Sequence, residues 1–341
     1  MTTLRPDAEV SRRSLPREVL VDAPREARIS SIQPGGGVCM RLELLWGGLR
    51  RWYLKRFRPG YVRRMAELRR GDPQGCPHEV LDPRDLKFYR NVCDCSWAEE
   101  DDPFRWRARL PLARDGMAEL LLLGLASLVL TAWLAWQYVW ACWVPAGLGL
   151  FFVWFFRSPR RAIPGGPGLV VSPADGKVVS VERLEQVEQL GGPAVLVGIF
   201  LSIFDVHVNR APLACRVTDL SYRPGKFLNA LRPESARENE QMAIQLQETA
   251  PPHRRLVVRQ IAGAIARRIV CGLRPGQELE RGEPFGMIKL GSRTELVLPW
   301  EAGLELAVAV GDRVRGGSTV IARYPANSSA DGGTVPENRR V

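Results

Sequence analysis

The feature that most constrains this chain is an apolar block that runs from Met117 to Phe156. Its 40 residues contain one charged side chain, Glu119, close to the start of the block. A helix needs about 20 apolar residues to cross a bilayer, so the block has room for two short transmembrane helices. Gln137 marks the expected break between them. The sequence therefore predicts a membrane hairpin over residues 115–157.

Basic residues flank this block on both sides. They are Arg105, Arg107, Arg109 and Arg114 before it, and Arg157, Arg160 and Arg161 after it. Under the positive-inside rule both ends stay in the cytoplasm, which requires an even number of crossings. We therefore expect a multi-pass protein of the cell (inner) membrane, with the domain that follows the hairpin on the cytoplasmic side.

The formal net charge of +11 favours an anionic partner. Nucleic acid, an acidic substrate and an anionic membrane surface all carry such charge. No recognised nucleic-acid-binding motif accompanies the basic residues, so we expect no nucleic acid among the partners. The position of the arginines beside the apolar block favours an anionic membrane.

Residues 1–110 are predicted to be a cytosolic N-terminal extension of unknown role, and we assign them no activity. The first 24 residues are polar and charged, so no cleavable signal peptide is expected. The odd number of cysteines, seven, then predicts reduced thiols and no disulfide framework. Apolar and basic residues interleave between Arg41 and Arg70, which is typical of a helix on a membrane surface and also of an element of a small cytosolic domain. Both interpretations stay open.

Four residues of this extension have side chains that bind zinc in other proteins: Cys76, His78, Cys93 and Cys95. Zinc-binding cysteines are usually separated by two to four residues, and neither pair here has that gap. Ordinary thiols are the favoured interpretation. We predict no metal, although the residues alone leave the question open.

After Pro164 the chain changes to short apolar runs separated by Gly, Pro and Asp, a pattern typical of strands and tight turns. Strands are predicted at Leu169–Val171, Lys177–Val181, Val195–Ile203 and Leu256–Ile261, and again between Gln277 and Tyr324. Pro233–Leu246 is predicted to be a short helix because acidic residues occupy its first turns.

The fold class that follows is a mainly β (α+β) catalytic domain with a few short helices, preceded by an α-helical transmembrane hairpin. The catalytic domain is predicted to span residues 160–325. Residues 326–341 are rich in Ser, Gly, Asn and charge, and we expect them to form a disordered tail.

Three segments of the β domain carry the polar groups that could perform chemistry. The first is the turn Ser172–Lys177, which contains Asp175. The second is Phe204–Arg210, where His207, one of three histidines, follows an apolar strand and has Asp205, Asn209 and Arg210 as neighbours. Such neighbours could tune a histidine for acid–base work near neutral pH.

The third segment is Phe285–Arg293, which contains Gly291 and Ser292. Glycine inside a strand-like run usually marks a bend or a close backbone approach. A strained peptide at Gly291 could present its carbonyl group to the hydroxyl of Ser292.

These three segments, in this order, resemble the phosphatidylserine decarboxylase family, specifically its short-form bacterial branch. Further matches are Phe155–Pro159, Gly225–Ala230, Glu238–Glu240, Ile261–Gly263 and Ala266–Cys271. The resemblance covers about residues 117–325, including the hairpin, and does not cover residues 1–110.

The resemblance implies a proenzyme that cleaves itself between Gly291 and Ser292. Ser292 would become a pyruvoyl group, the cofactor of the enzyme, at the start of a small α chain (292–341), and residues 1–291 would form the β chain. The pyruvoyl group would form a Schiff base with phosphatidylserine in an anionic membrane, release CO2 and give phosphatidylethanolamine.

The resemblance also implies a catalytic set of Ser292, His207 and Asp175. Serine is a weak nucleophile unless a base takes its proton, and the base needs an orienting partner. His207 would be the base and later a proton donor, and Asp175 would orient it.

Two positions depart from the family pattern. Long-form relatives carry a second histidine where this chain has Arg210, so His207 serves both maturation and turnover or another group contributes. The short-form branch generally shares the single histidine. Gln241 stands where an arginine is common, which puts a role for that position in doubt.

Three alternatives remain. One is a decarboxylase of another serine-headgroup lipid, and another is a membrane scaffold that has lost the chemistry. The third is a non-catalytic adaptor of the lipoyl or biotinyl type, since Gly311–Gly316 resembles a turn of such domains; Lys289 is its nearest lysine, but Ile288 and Leu290 do not fit a modified site. The residues also leave a homo-oligomer open.

Overall fold

The computed structural model describes residues 37–86, 95, 97–98, 101, 106, 109–265, 267–289 and 291–325. The predictions for the first 24 residues, for Cys93 and for the tail at 326–341 lie outside the described residues.

The described part of the extension is helical. Helix α1 spans Gly37–Phe57, α2 spans Pro59–Leu68, and a short 3-10 helix covers Pro83–Leu86. Arg50 on α1 donates to the carboxylate of Asp82 at 2.6 Å and also pairs with Asp85. These buried carboxylates hold the 3-10 helix against α1. Helix α1 contacts both the apolar hairpin and the β domain.

The apolar block forms two helices of unequal length. Helix α3 spans Met117–Gln137 and α4 spans Trp143–Phe155, and they pack against each other. Among the described helices, the one over Arg114–Gln137 is long and apolar enough to cross a membrane, whereas α4 has 13 residues. At about 1.5 Å per residue, α4 is roughly 20 Å long, short of a hydrocarbon core of about 30 Å. The prediction of two spanning helices therefore finds support in one of them.

The two ends of the hairpin are tied together by the main chain. The amide of Ala113 donates to the carbonyl oxygen of Phe156, and the amide of Ser158 donates to that of Pro111, both at 2.7 Å. The chain thus enters and leaves the hairpin at one place.

The rest of the described chain is mainly β, as predicted. Its strands are β1 Leu169–Val171, β2 Gly176–Val187, β3 Gly192–Leu201, β4 Val208–Arg210, β5 Cys215–Arg223, β6 Gln241–Glu248, β7 Arg255–Ile261, β8 Arg268–Cys271, β9 Glu278–Leu279, β10 Pro284–Lys289, β11 Ser292–Pro299, β12 Glu305–Leu306, β13 Arg313–Val314 and β14 Val320–Arg323. One helix, α5 at Ser235–Glu238, interrupts them.

The predicted helix over Pro233–Leu246 is wrong beyond its first turn. Helix α5 ends at Glu238, and β6 begins at Gln241 between β5 and β7. Met242, Ile244 and Leu246 are buried, and this spacing of two belongs to a strand with one face in the core. The alternation outweighs the acidic residues that suggested a helix.

The strands form three antiparallel sheets. The largest has the order β13-β2-β3-β11-β7-β6-β5-β9, and the smaller ones are β4-β10-β8 and β1-β14-β12. Strand β10 is central in its sheet, and β11 lies inside the largest one. The chain therefore passes from the interior of one sheet to the interior of another between Lys289 and Ser292.

Candidate active site

The junction between Gly291 and Ser292 lies in a tight bend. Gly291 has a φ of +69°, a left-handed conformation that glycine adopts without the steric cost borne by other residues. Ser292 then starts β11 opposite Leu201 of β3. The predicted bend in an otherwise extended run is confirmed, and its cause is the passage of the chain from one sheet to another.

The hydroxyl of Ser292 is buried without a partner. The residue is fully inaccessible to solvent, and Oγ makes no hydrogen bond within the part of the chain that the structure describes. Burying a hydroxyl without a partner is unfavourable by about 1–3 kcal/mol, and such groups in native proteins often have a catalytic role. The carbonyl carbon of the preceding residue is the electrophile nearest to this hydroxyl along the chain.

Gly263 makes room for the carbonyl group of Gly291. A Cβ atom placed on Gly263 would lie 1.7 Å from the carbonyl oxygen of Gly291 and 2.8 Å from its carbonyl carbon. Any side chain at position 263 would displace that carbonyl. Sequence reasoning quoted Gly263 as part of a family match but gave it no role.

Asn239 holds the segment that contains Gly263. Its amide nitrogen donates to the carbonyl oxygens of Leu228 and Ala262, both at 2.8 Å, and its Oδ1 accepts from the amide of Leu228 at 2.8 Å. The side chain is fully buried. The matched segments around residues 225–230, 238–240 and 261–263 therefore meet at one point, directly behind the carbonyl group of Gly291.

His207 contacts the same junction from the opposite sheet. It lies just before β4, it is fully buried, and its Nε2 accepts a hydrogen bond from the amide of Gly291 at 3.1 Å. Its Nδ1 lies 2.9 Å from the carbonyl oxygen of Asp205 and donates to it. This pair of contacts assigns the neutral tautomer with the proton on Nδ1 and the lone pair on Nε2.

The environment of His207 favours its neutral form. Burial lowers the pKa from an ordinary value of 6.5 to about 4, although the Asp205 carbonyl opposes part of this change. The ring of Phe155, at the end of α4, packs against the imidazole with centroids 4.7 Å apart. The base of the apolar hairpin is thus part of the histidine's pocket.

The hydrogen bonds of Asp175 run to Arg161 and Gly316, and its predicted role as the partner that orients His207 stays a prediction. Its Oδ2 accepts from Arg161 at 2.6 Å and its Oδ1 accepts from the amide of Gly316 at 2.8 Å, while the Asp205 carbonyl occupies the orienting position on the imidazole. Burial raises the pKa of Asp175, and the charge of Arg161 and the Gly316 amide oppose this. The family resemblance pointed to the side chain of Asp175, and a contact through a main-chain carbonyl leaves no trace in a sequence.

The two positions that depart from the family pattern lie outside this junction. Arg210 donates to the carbonyl oxygens of Gly282 at 2.9 Å and Pro159 at 3.1 Å. Gln241 opens β6 opposite Ile261 and Arg223. Arg210 thus fastens the linker after the hairpin to the β domain.

The sulfur and imidazole groups of the extension give no metal centre within the described residues. Cys76 Sγ lies 3.6 Å from His78 Nδ1, whereas Cys95 is buried. No group of three or more His, Cys, Asp or Glu side chains that could hold a metal ion occurs in the described ranges.

Lys289, the lysine considered for an adaptor, is 1% exposed and forms ion pairs with Glu43 and Glu119. A lysine that carries lipoyl or biotin has to project from a hairpin tip, so the structure contradicts that alternative at this position. Arg268 completes this ionic cluster through its ion pair with Glu43. The sequence alone assigned no role to either residue, although Arg268 lies in the matched segment Ala266–Cys271.

Comparisons with known proteins identify the family that the chain is similar to. A sequence model of the family described as phosphatidylserine decarboxylase matches residues 148–322. The phosphatidylserine decarboxylase proenzyme of Rhodopirellula baltica is 51% identical over 240 residues, which are 70% of this chain and 99% of that protein. The proenzyme of the same name from Symbiobacterium thermophilum is 50% identical over 182 residues, 53% of this chain and 83% of that protein. That of Syntrophus aciditrophicus is 39% identical over 213 residues, 62% and 97% respectively.

Proposed function

Because this chain belongs to the phosphatidylserine decarboxylase family, we propose that it matures by cutting itself between Gly291 and Ser292 and then acts through a pyruvoyl group made from Ser292. It is a carboxy-lyase, and its expected reaction converts phosphatidylserine into phosphatidylethanolamine and CO2. One observation carries the proposal for maturation: a buried serine hydroxyl without a partner follows a glycine whose amide is bonded to a buried, neutral histidine.

Cleavage begins with the hydroxyl of Ser292. His207 Nε2 takes the proton from Oγ, and Oγ attacks the carbonyl carbon of Gly291. The bond between that carbon and the nitrogen of Ser292 then breaks as the nitrogen receives the proton, which leaves an ester and a free amine. The neutral tautomer of His207 suits this step because its Nε2 carries a lone pair. In the uncut chain this lone pair accepts from the amide of Gly291, so Nε2 has to release that amide before it takes the proton from Oγ.

The ester is resolved without another nucleophile. Loss of the Cα proton of residue 292 expels the Gly291 carboxylate by β-elimination and leaves a dehydroalanine with a free amino group. Its imine tautomer reacts with water, ammonia leaves, and a ketone remains at the new terminus. The new carboxyl end at Gly291 belongs to the β chain of residues 1–291, and the ketone heads the α chain of residues 292–341.

The α chain stays attached after the cut. Strand β11 begins at Ser292 and is hydrogen-bonded between β3 and β7, both of which belong to the β chain. The two products therefore remain one folded enzyme.

The residues present at position 292 fit a pyruvoyl group. The site is buried, its serine hydroxyl has no competing partner among the described residues, and Gly263 leaves room beside it. When formed, the group supplies an electron-withdrawing ketone that can condense with the substrate's amine and then accept the electron pair left on the substrate when CO2 departs. His207 excludes water on one side, and it holds and returns a proton at Nε2.

Asp175 contributes through the linker that follows the hairpin. Its bonds to Arg161 and to the Gly316 amide join that linker to the β13–β14 turn. We therefore give Asp175 a positioning role and assign the orientation of His207 to the Asp205 carbonyl.

The proposal puts the hairpin in the membrane with both ends on the cytoplasmic side. The length and apolar character of Arg114–Gln137 support this, as do the main-chain bonds that tie residues 111–113 to 156–158. Phe155 and Phe156, at the hairpin base, pack with Val208 and Met287 of the sheet that carries His207. The site would then lie at the depth of lipid headgroups, where phosphatidylserine presents its amine and carboxylate.

Intact mass spectrometry of the purified full-length chain tests this proposal. We expect a fragment that ends at Gly291 and a fragment that starts at position 292 with pyruvoyl in place of serine. Ser292→Ala should stay uncut. Ser318→Ala is the matched control, because Ser318 also follows a glycine with positive φ, Gly317 at +77°, and it should cleave normally. Cleavage in Ser292→Ala would overturn the assignment, and an intact pyruvoyl group without conversion of phosphatidylserine would indicate another serine-headgroup lipid.

A further inference from the structure

A buried cluster of four charges lies beside the cleavage junction. Lys289, the last residue of β10, forms ion pairs with Glu43 of α1 and Glu119 of α3. Arg268, the first residue of β8, donates to Glu43 Oε2 at 3.1 Å. All four residues are at most 4% exposed. The cluster therefore joins the extension, the hairpin and the β domain in one contact.

Glu43 is the member that contacts both cations. Two carboxylates balance two basic side chains, and Glu119 pairs with Lys289. Burial would lower the pKa of Lys289, but Glu43 and Glu119 outweigh it and raise the pKa, so the lysine keeps its charge. Removing one partner from a buried ion pair is strongly unfavourable because it leaves an uncompensated charge. Without Glu43 the described residues of the cluster would carry a net positive charge away from water.

The two cations belong to the two segments that define the scissile peptide. Lys289 precedes Gly291 by two residues, and Arg268 follows Gly263 by five. They are direct register partners between β10 and β8. Gly263 and Gly291 in turn meet at the carbonyl group that Ser292 would attack. Because the carboxylate of Glu43 binds both Lys289 and Arg268, it fixes both of the segments that meet at this carbonyl group.

Glu43 lies outside the part of the chain that matches the family. The family match begins at residue 148 and includes Lys289 and Arg268. The extension, to which the sequence alone assigned no activity, thus supplies the carboxylate that pairs with Lys289 and Arg268 of the β domain.

We propose that helix α1 is an integral part of the active unit, in which Glu43 is a positioning residue that holds Lys289 and Arg268 so that Gly291 meets Gly263 in the geometry required for cleavage. This inference rests on the proposed function, since self-cleavage is its measure. It also predicts that the extension cannot be removed without loss of chemistry.

The test compares Glu43→Gln, which keeps the shape and loses the charge, with Glu43→Asp, which keeps the charge in a shorter side chain. The rate at which newly made full-length chain cleaves is followed by intact mass. We expect Glu43→Gln to slow cleavage at least about tenfold, and Glu43→Asp to cleave within roughly threefold of the wild type. The control Glu79→Gln removes the carboxylate of an exposed ion pair with Lys55 on the same extension, and it should cleave like the wild type.

Each outcome decides the question. Equal rates for Glu43→Gln and the wild type overturn the inference alone, and a slower Glu43→Asp than Glu43→Gln would assign Glu43 to packing and overturn it as well. If the wild-type chain never cleaves, the proposed function is wrong, and this inference is wrong with it. If Glu43→Gln fails to fold, the double variant Glu43→Gln/Arg268→Gln restores charge balance with Lys289 and Glu119. A double variant that folds but does not cleave supports the inference. Cleavage at the wild-type rate would show that charge balance alone suffices, and failure to fold would assign Glu43 to packing, so either result overturns it.

Discussion

The imidazole of His207 accepts a hydrogen bond from the main-chain amide of Gly291, with Nε2 and the amide nitrogen 3.1 Å apart. The bond joins a residue just before β4 to the link between β10 and β11, 84 positions further along the chain. It places a buried, neutral imidazole beside Gly291, whose carbonyl group is the proposed site of cleavage. Maturation should therefore depend on this ring more than on any other histidine.

His207→Ala should abolish maturation or slow it by about a thousandfold, within the usual range of 10²–10⁴ for the loss of a general base. The fraction of cleaved chain over time, measured by intact mass, gives the rate. His253→Asn is the matched control, because His253 is exposed and has a φ of +61° that asparagine tolerates. Its Nδ1 lies 3.2 Å from the carbonyl oxygen of Glu248, far along the chain from Gly291. Normal processing of His207→Ala would move the base elsewhere.

The rate of maturation should be flat between about pH 5 and pH 8 and should fall as the pH drops through about 4. Burial lowers the pKa of His207 to about 4, so the ring is neutral and able to accept a proton throughout the higher range. In the unfolded chain the pKa of His207 has its ordinary value of 6.5, so between about pH 4 and 6.5 the unfolded chain binds more protons than the folded chain. The contribution of this group to folding stability therefore decreases as the pH falls from 6.5 towards 4. Cleavage rates of freshly synthesised chain across this range test the prediction. A midpoint near 6.5 would show that the ring is hydrated before the cut.

Asp175→Asn and Arg161→Met should impair maturation to a similar degree, and the double variant should be no worse than either single one. The reason is that the two side chains form one ion pair at 2.6 Å, so the effect of each removal includes the effect of the other. First-order cleavage rates of the three variants supply a double-mutant cycle. If Asp175→Asn stops cleavage while Arg161→Met leaves it intact, Asp175 acts on another partner, and its predicted link to His207 would have to be reconsidered.

Patterns in short stretches of sequence predicted those features of the fold that continuous segments form by themselves. The apolar block is one continuous segment, and the turn at Ser172–Lys177 and the bend at Gly291 each involve a few neighbouring residues. All three are present in the structure. The helix expected over Pro233–Leu246 was wrong because helix-favouring acidic residues precede an alternating strand. Met242, Ile244 and Leu246 carried the correct signal, since their spacing fits a strand between two neighbours.

The contacts that define the site were not predictable from such patterns. Glu43 and Lys289 are 246 residues apart, and Asp205 orients His207 through a main-chain carbonyl that any residue possesses. Neither contact leaves a periodic or compositional trace. The family resemblance pointed to Ser292 and His207. It could not reveal the ion pair between Glu43 and Lys289, because it does not cover the extension.

Gly263→Ala should block maturation while leaving most of the fold intact. A Cβ atom at this position would lie 1.7 Å from the carbonyl oxygen of Gly291, far inside the contact distance, and the neighbouring atoms are main chain that cannot rotate away. Relieving such an overlap typically costs about 1–3 kcal/mol, which corresponds to a decrease of roughly 10–100-fold if the displacement falls on the scissile carbonyl. Gly165→Ala is the control, since nothing lies within 4 Å of a Cβ atom there. Thermal unfolding of both variants separates loss of fold from loss of cleavage. Cleavage of Gly263→Ala at the wild-type rate would mean that the carbonyl of Gly291 turns away from Gly263 before Ser292 attacks.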